Sequence, residues 1–253
     1  MSRTKSRTEV TNHKDKALSK LDNYLVSQIG TNNPNLIARA DKLAYWIEDY
    51  ANFLKKEETF DSSKGIKYKK GDIVKVHLGF RLGREEGGLH FGIVVDVNNS
   101  KYSDVVTIIP LTSLKPDKEP HPNSVALGSE IFQAIISKHD RLHSEITTRA
   151  SELTEMHKAL DSSYPAGESN AQKILDELKR INAKIDELNE IRKSIIKMKD
   201  GSVALVNQII TISKLRIYDP VYSHSVLYGI RLSPTTISSV DEKIAELYLN
   251  NAK

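Results

Sequence analysis

The sequence predicts an α+β protein in which a small β-sheet has helices before it, inserted within it and after it. Three short runs rich in β-branched residues, 73–78, 91–97 and 105–111, are bounded by Gly, Asn, Ser and Pro, which predicts strands. Apolar residues at helical spacing occur on both sides of these runs. The chain is therefore expected to be organised around residues 68–113.

A charged, glycine-rich segment separates the first two predicted strands. This segment, residues 83–90 (GREEGGLH), is called the charged loop below. It is too polar and too rich in glycine to be a helix. Since loops on a rigid sheet are common locations of functional residues, the charged loop is the first candidate for a site.

The N-terminal region predicts a polar tail followed by two helices. Residues 1–14 are polar and charged and are expected to be disordered. Apolar residues at helical spacing predict one helix over residues 18–29 and a second over 34–60. Residues 1–63 are thus predicted to form a disordered tail plus an N-terminal helical extension.

Two series of mainly apolar residues in the second half of the chain advance in steps of three and four. A Pro/Gly turn at residues 165–167 separates them, which predicts an antiparallel coiled-coil hairpin over residues 137–199. The hairpin would divide the strand region into a first part, 64–136, and a second part, 200–253. The series are Leu142, Ile146, Arg149, Leu153, Met156, Leu160 and Ile174, Leu178, Ile181, Ile185, Leu188, Ile191, Ile195.

The outer positions of the predicted hairpin carry charges of both signs, which is typical of a solvated face. Mixed charge argues against nucleic acid as the main partner of the hairpin. Three roles are open: extension of a dimer interface, an arm that contacts RNA or the ribosome, and a surface that an inhibitor binds. Contact with other helices is favoured among them.

The last part of the chain predicts a further strand and a closing helix. Residues 202–212 are rich in Val and Ile and favour a strand, and residues 213–216 follow it as a basic turn. Ser233 and Pro234 suit the N-cap and the first position of a helix that runs to Leu249.

Composition excludes several kinds of protein and site. The chain has no cysteine, so disulfides and thiolate metal sites are excluded. No apolar run approaches the ~20 residues of a membrane span, and the polar N-terminus has no signal-peptide core, so a cytoplasmic protein is expected. The net charge of +4 permits an anionic partner without requiring one. His139 and His143 lie four apart on a predicted helix, but no third ligand completes a metal site.

Four blocks of the strand region occur in a recognisable order: 70–74 (KGDIV), the glycine–glutamate–glycine pattern of 83–88, 93–95 (IVV) and 108–113 (IIPLTS). In this order they resemble the MazF/PemK family of toxin ribonucleases. Residues 202–212 resemble that family's next strand, and residues 232–247 resemble its closing helix.

The resemblance implies a small, partly open SH3-like (MazF-like) β-barrel that is usually a homodimer. It also implies the toxin of a toxin–antitoxin pair, which cleaves single-stranded RNA without metal or cofactor, inhibits growth and is itself inhibited by a cognate antitoxin. Related folds instead poison DNA gyrase. The alternative is therefore a non-catalytic protein of this fold that inhibits a protein target by binding it.

The resemblance also implies site residues at matching positions, with some departures. The family's active-site arginine follows the paired glycines by two positions, where this chain has His90. The family threonine at the end of the third strand matches Thr112, and the loop glutamate matches Glu85. An arginine and an acidic residue that members carry in the later strand are replaced here by Ile210 and Asn207.

Metal-free RNA cleavage needs removal of the 2′-hydroxyl proton, stabilisation of charge on the phosphoryl oxygens and protonation of the leaving 5′-oxygen. His90 is expected to be the general acid or base, because histidine exchanges protons near neutral pH. Thr112 would donate to a non-bridging oxygen, and Glu85 would accept the proton or orient His90. The residues expected to bind the phosphates and backbone of the substrate are Arg81, Arg84, Ser113, Lys214 and Arg216.

Overall fold

A computed structural model of the protein describes residues 5–114, 119–161, 168–197 and 201–249. The chain divides into two compact units, Met1–Thr59 and Phe60–Lys253. The strands and the expected site residues lie in the second unit. No helix among the described residues has both the length and the apolar character that crossing a membrane requires.

The first unit is a pair of helices, α1 (Arg7–Ile29) and α2 (Pro34–Glu57). Ser6 starts α1 with a capping box: its hydroxyl accepts from the Glu9 N–H, and the Glu9 carboxylate accepts from the Ser6 N–H. The prediction of a disordered tail up to about residue 14 is therefore wrong for residues 7–14. They are helical because the Ser6 cap starts the helix there, although Val10 is the only apolar residue among them.

The second unit contains an antiparallel sheet of seven strands. They are β1 (Ile73–His77), β2 (Leu89–Val94), β3 (Val105–Ser113), β4 (Val125–Gly128), β5 (Ser202–Ala204), β6 (Ile210–Ser213) and β7 (Ile217–Asp219). The order is β4-β5-β3-β2-β1-β7, and β6 also pairs with β3. The α+β class and the strands around the charged loop are confirmed. Closure of the sheet into a barrel stays a prediction.

Two further stretches, residues 202–212 and the segment from residue 124, also differ from the sequence prediction. Residues 202–212, expected as one strand, are interrupted by a short 3-10 helix, Val206–Gln208, so β5 and β6 pair with β3 in different registers. The strand expected from residue 124 ends at Gly128, whose φ of 55° turns the chain. Helix α3 therefore begins at Glu130, before the expected start of the hairpin at 137.

The two inserted helices, α3 (Glu130–Asp161) and α4 (Glu168–Lys197), are antiparallel. Ion pairs join them at three levels: Lys138 with Glu187 (3.0 Å), Glu145 with Lys184, and Arg149 with Glu177 (2.9 Å). One partner's number rises as the other falls, which confirms an antiparallel pair. The predicted turn at 165–167 lies outside the described residues, and coiled-coil packing stays a prediction.

Two apolar clusters cover the two faces of the sheet. The first includes Ile73, Ile109 and Ile135 and extends from the sheet to α3, α4 and α5 (Pro234–Tyr248). The second includes Val74 and Val76. Neighbouring residues of β1 are thus buried on opposite faces, which explains the nearly continuous apolar runs of the sequence.

The start of α5 is as predicted. The Ser233 hydroxyl accepts from the Thr236 N–H at 3.3 Å, and Pro234 occupies the first helical position. Glu130, at the start of α3, accepts from the Ser233 N–H and from the Thr236 hydroxyl, the latter at 2.5 Å. The closing helix is therefore fastened to the first inserted helix.

The buried Tyr68 hydroxyl makes the fold less stable as the pH becomes alkaline. It donates to the Pro220 carbonyl at 2.7 Å, and burial, followed by the charges of Asp219 and Asp72, raises the pKa of Tyr68. The unfolded chain ionises this phenol near pH ~10, so stability is full below that pH and falls above it, by up to ~1.4 kcal/mol per pH unit.

We therefore expect Tyr68→Phe to cost about 1 kcal/mol near neutral pH, where the hydrogen bond is intact. This difference from the wild type should shrink above pH ~10, because the variant lacks the ionisable group. Urea unfolding at a series of pH values measures both quantities. A difference in stability that stays constant across this pH range would contradict a raised pKa for Tyr68.

Candidate functional site

Backbone hydrogen bonds of Gly79 and Gly88 join the two ends of the charged loop. The Leu78 N–H donates to the Gly88 carbonyl at 2.7 Å, and the Gly88 N–H donates to the Gly79 carbonyl at 2.8 Å. A Cβ at Gly87 would meet the Gly79 carbonyl oxygen at 2.8 Å, so a larger residue does not fit there without a backbone shift. These contacts therefore fix the point at which β2 begins.

Gln208 holds the charged loop from the side of β5 and β6. Its Oε1 accepts from the Glu86 N–H at 2.6 Å, and its Nε2 donates to the Arg84 carbonyl at 3.3 Å. Gln208 belongs to the 3-10 helix that interrupts the two strands. The sequence prediction missed this contact, because it treated residues 202–212 as one regular strand.

β2 places a half-buried His90 between two hydrogen-bond acceptors. Its Nδ1 lies 3.1 Å from the Leu111 carbonyl oxygen, and its Nε2 lies 3.4 Å from a carboxylate oxygen of Glu86. Carbonyl and carboxylate groups only accept, so each ring nitrogen of His90 faces an acceptor. These two contacts hold the ring from both sides.

The carboxylate beside His90 belongs to Glu86 and not to Glu85. The Glu85 side chain is exposed, and its carboxylate lies 3.7 Å from Nη1 of Arg81. The expectation that Glu85 orients His90 is therefore wrong. Two consecutive glutamates in a turn point in different directions, and only the fold determines which of them faces the ring.

Thr112 follows the residue that His90 contacts. The pairing of β2 with β3 reaches Gly92 opposite Pro110, and Nδ1 of His90 lies beside the carbonyl of Leu111, the residue before Thr112. Ser113 follows at the end of β3, where it is exposed. Thr112 and Ser113 both line a cavity of about 190 Å³. The structure thus brings together His90 and Glu86, and Thr112 follows the residue whose carbonyl His90 contacts.

A larger cleft of about 580 Å³ lies beside the charged loop. Its walls include Arg81, Arg84, Pro110 and Gln208. Nε of Arg81 donates to the Leu78 carbonyl at 3.0 Å, which fixes the base of that side chain. The cleft therefore brings together two of the arginines expected to bind phosphate. In the ranges that the structure describes, no three His, Asp or Glu side chains are grouped as metal ligands would be.

Lys214 is not placed to bind a substrate. It is 6% exposed, and its Nζ donates to the Ser100 carbonyl at 2.8 Å and lies 5.8 Å from the centre of the Tyr68 ring. Burial lowers the pKa of Lys214, an effect that Asp104 opposes. Asp104 precedes β3, whereas Thr112 is near its other end. The expected contact of Lys214 with RNA is therefore wrong, because this lysine is part of the core at the far end of the sheet.

Arg216 is bound to the end of β1 next to the charged loop. Its Nε donates to the His77 carbonyl at 2.8 Å. Burial and then the positive charge of Arg81 lower the pKa of Arg216. The positive charge of Arg81 is thus near enough to act on Arg216. Arg216 therefore adds positive charge next to Arg81.

Replacement of Gln208 should loosen the charged loop. In Gln208→Ala the Glu86 N–H loses its acceptor, and a net loss of about 0.5–1.5 kcal/mol corresponds to roughly 2- to 10-fold faster amide hydrogen exchange. Asn207→Ala, in the same 3-10 helix, is the matched control because Asn207 is exposed. Exchange at Glu86 that is equal in the two variants would show that Gln208 does not hold the loop.

Comparisons with known proteins bear on the region around this site. No curated protein matches the chain. The family model of PemK-like, MazF-like toxins of type II toxin–antitoxin systems matches residues 69–163, which include β1 to β4, the charged loop and α3. The resemblance of the second part, 200–253, lies outside the matched residues and stays a prediction. Residues 69–163 are thus similar to the PemK-like, MazF-like toxins, which confirms the resemblance that the sequence motifs carry.

Proposed function

We propose that the protein is the toxin of a toxin–antitoxin pair and acts as a metal-independent endoribonuclease on single-stranded RNA. The observation that carries this proposal is the His90 ring, held between the Glu86 carboxylate and the carbonyl of Leu111, the residue before Thr112. An acid–base pair beside a hydroxyl donor and a cationic cleft is what RNA cleavage by the 2′-hydroxyl requires.

In the proposed mechanism the 2′-oxygen attacks the adjacent phosphorus and the bond to the 5′-oxygen breaks. Glu86 accepts the proton of the 2′-hydroxyl, and His90 donates its Nε2 proton to the leaving 5′-oxygen. The products are a 2′,3′-cyclic phosphate and a 5′-hydroxyl. Since Nε2 and the carboxylate are 3.4 Å apart, the proton taken by Glu86 can pass back to His90 and restore the site.

The remaining groups would bind the phosphate. The Thr112 hydroxyl donates to a non-bridging oxygen as negative charge develops there. Arg81 and Arg84 bind neighbouring phosphates in the cleft, and Arg216 adds to the positive field. Ser113, exposed at the end of β3, would contact the RNA backbone next to Thr112.

The proposed partners follow from the family match. An antitoxin is the partner that a type II toxin–antitoxin system implies. We propose a cytoplasmic homodimer, as the resemblance implies, with the helical hairpin as a surface for contacts with other helices. The mixed charges of the hairpin, which pair with one another at three levels, support a protein partner over RNA for that element.

The alternative is a non-catalytic protein that blocks a target such as gyrase by binding. It is kept because His90 replaces the arginine of the family. Incubation of the purified protein with a long single-stranded RNA in EDTA separates the two. Discrete cuts that leave a 5′-hydroxyl support the nuclease, whereas intact RNA together with inhibited gyrase supports the alternative.

A further inference from the structure

The cavity of about 190 Å³ at the end of β3 is lined by both apolar and polar residues. The apolar ones include Val203, Leu205 and Pro120, and the polar ones include Glu119 and His121. It is called the Glu119 pocket here. Pockets for drug-sized ligands are larger, about 300–1,000 Å³, so the Glu119 pocket suits one small planar group.

The Glu119 pocket and the cleft beside the charged loop are consecutive on one face of the sheet. Thr112 pairs with Val203, and the Leu205 N–H donates to the Pro110 carbonyl at 2.9 Å. Pro110 lines the cleft, and Thr112 lines the pocket. Two residues of strand, about 6.6 Å, separate them, a distance that one nucleotide of an extended single strand can bridge.

The turn at residues 121–124 determines which nitrogen of the His121 ring can donate a hydrogen bond. The Asn123 N–H donates to Nδ1 of His121 at 3.1 Å, and the Ser124 N–H donates to the His121 carbonyl at 2.9 Å. A neutral ring whose Nδ1 accepts carries its proton on Nε2. The lining of the pocket therefore includes an N–H donor from His121 and the acceptor carboxylate of Glu119.

We infer that the Glu119 pocket binds the base next to the scissile phosphate and selects guanine, an inference that rests on the proposed RNA cleavage. Guanine has two adjacent donors, N1–H and N2–H, that match the two oxygens of a carboxylate. Its O6 accepts from the imidazole N–H. The other three bases lack this pair of donors. Unstacked bases of single-stranded RNA are read along this edge.

Mapping of cleavage sites tests the selection. The wild type should cut a random single-stranded RNA with guanine at one fixed position beside the cut. Hydrogen bonds to a charged group contribute about 1.5–3 kcal/mol, so Glu119→Gln should lower the preference for guanine at least about tenfold. Glu190→Gln, on the exposed face of α4, is the matched control and should keep the preference. Cutting without a preference for guanine, or with one unchanged in Glu119→Gln, overturns the inference and leaves the nuclease intact.

Nucleotide binding gives a readout that does not depend on cleavage. Guanosine monophosphate should bind the full chain at least about tenfold more tightly than the cytidine, adenosine and uridine monophosphates, and Glu119→Gln should abolish this difference. If RNA is not cut but this selectivity is present, the proposed function is wrong and the inference that the pocket binds guanine is kept. Equal binding of all four nucleotides overturns that inference.

Discussion

His90→Ala should lower the rate of RNA cleavage by about 10²–10⁴-fold, the usual contribution of a positioned acid or base. The substitution removes the ring that lies between the Leu111 carbonyl and the Glu86 carboxylate, and with it the proton for the leaving 5′-oxygen. His90→Arg should lose less activity than His90→Ala, because a guanidinium can donate to both acceptors. Single-turnover cleavage of one labelled RNA, compared across the three proteins, measures the effect.

His143→Ala is the matched control, because His143 is exposed on α3 and far along the chain from the charged loop. It should cleave as the wild type does. An RNA with a 2′-deoxy group at the cut should resist all of these proteins. Cleavage of that RNA, or a His90→Ala rate within a few-fold of the control, would contradict the mechanism.

The elements of the fold that follow from local sequence were predictable. The strands on both sides of the charged loop and the capped start of α5 depend on residues within a few positions, and both predictions are confirmed. The start of α1 was missed, because residues 7–14 contain a single apolar residue, Val10, and so show no helical periodicity. The break between β5 and β6 was missed, because apolar composition does not distinguish one strand from two strands with a turn of 3-10 helix.

The site was predictable only where the resemblance supplied positions. His90 contacts the carbonyl of Leu111, the residue before Thr112. The role of Gln208 depends on a contact with a segment over a hundred residues away in the chain. The role of Glu86 depends on the direction in which a turn points its side chain. Lys214 was misassigned because a lysine in a basic turn is usually exposed, whereas here the turn buries it.

The second large effect is expected for the fold, at Lys138. Its Nζ donates to the carbonyls of Ser225 (2.8 Å) and Val226 (3.1 Å) and lies 3.0 Å from the carboxylate of Glu187. The side chains of Lys138 and Glu187 are 9% and 18% exposed, so removal of one partner leaves a charge in a largely dry environment. Lys138→Met should destabilise the second unit by about 3–5 kcal/mol, measured by urea unfolding. Lys158→Met, whose lysine pairs with Glu155 at 67% exposure, should stay within about 0.5 kcal/mol of the wild type.

A double variant shows how much of this loss comes from the Glu187 carboxylate, which Lys138→Met leaves without its partner. Lys138→Met combined with Glu187→Leu removes both charges and leaves only the backbone carbonyls without their donor. If the carboxylate dominates, the double variant should recover more than half of the loss, because replacing a buried ion pair with apolar residues is often neutral. If the carbonyls dominate, the double variant should be as unstable as Lys138→Met. A single variant as stable as the wild type would instead mean that this lysine does not fasten α3 and α4 to the C-terminal segment.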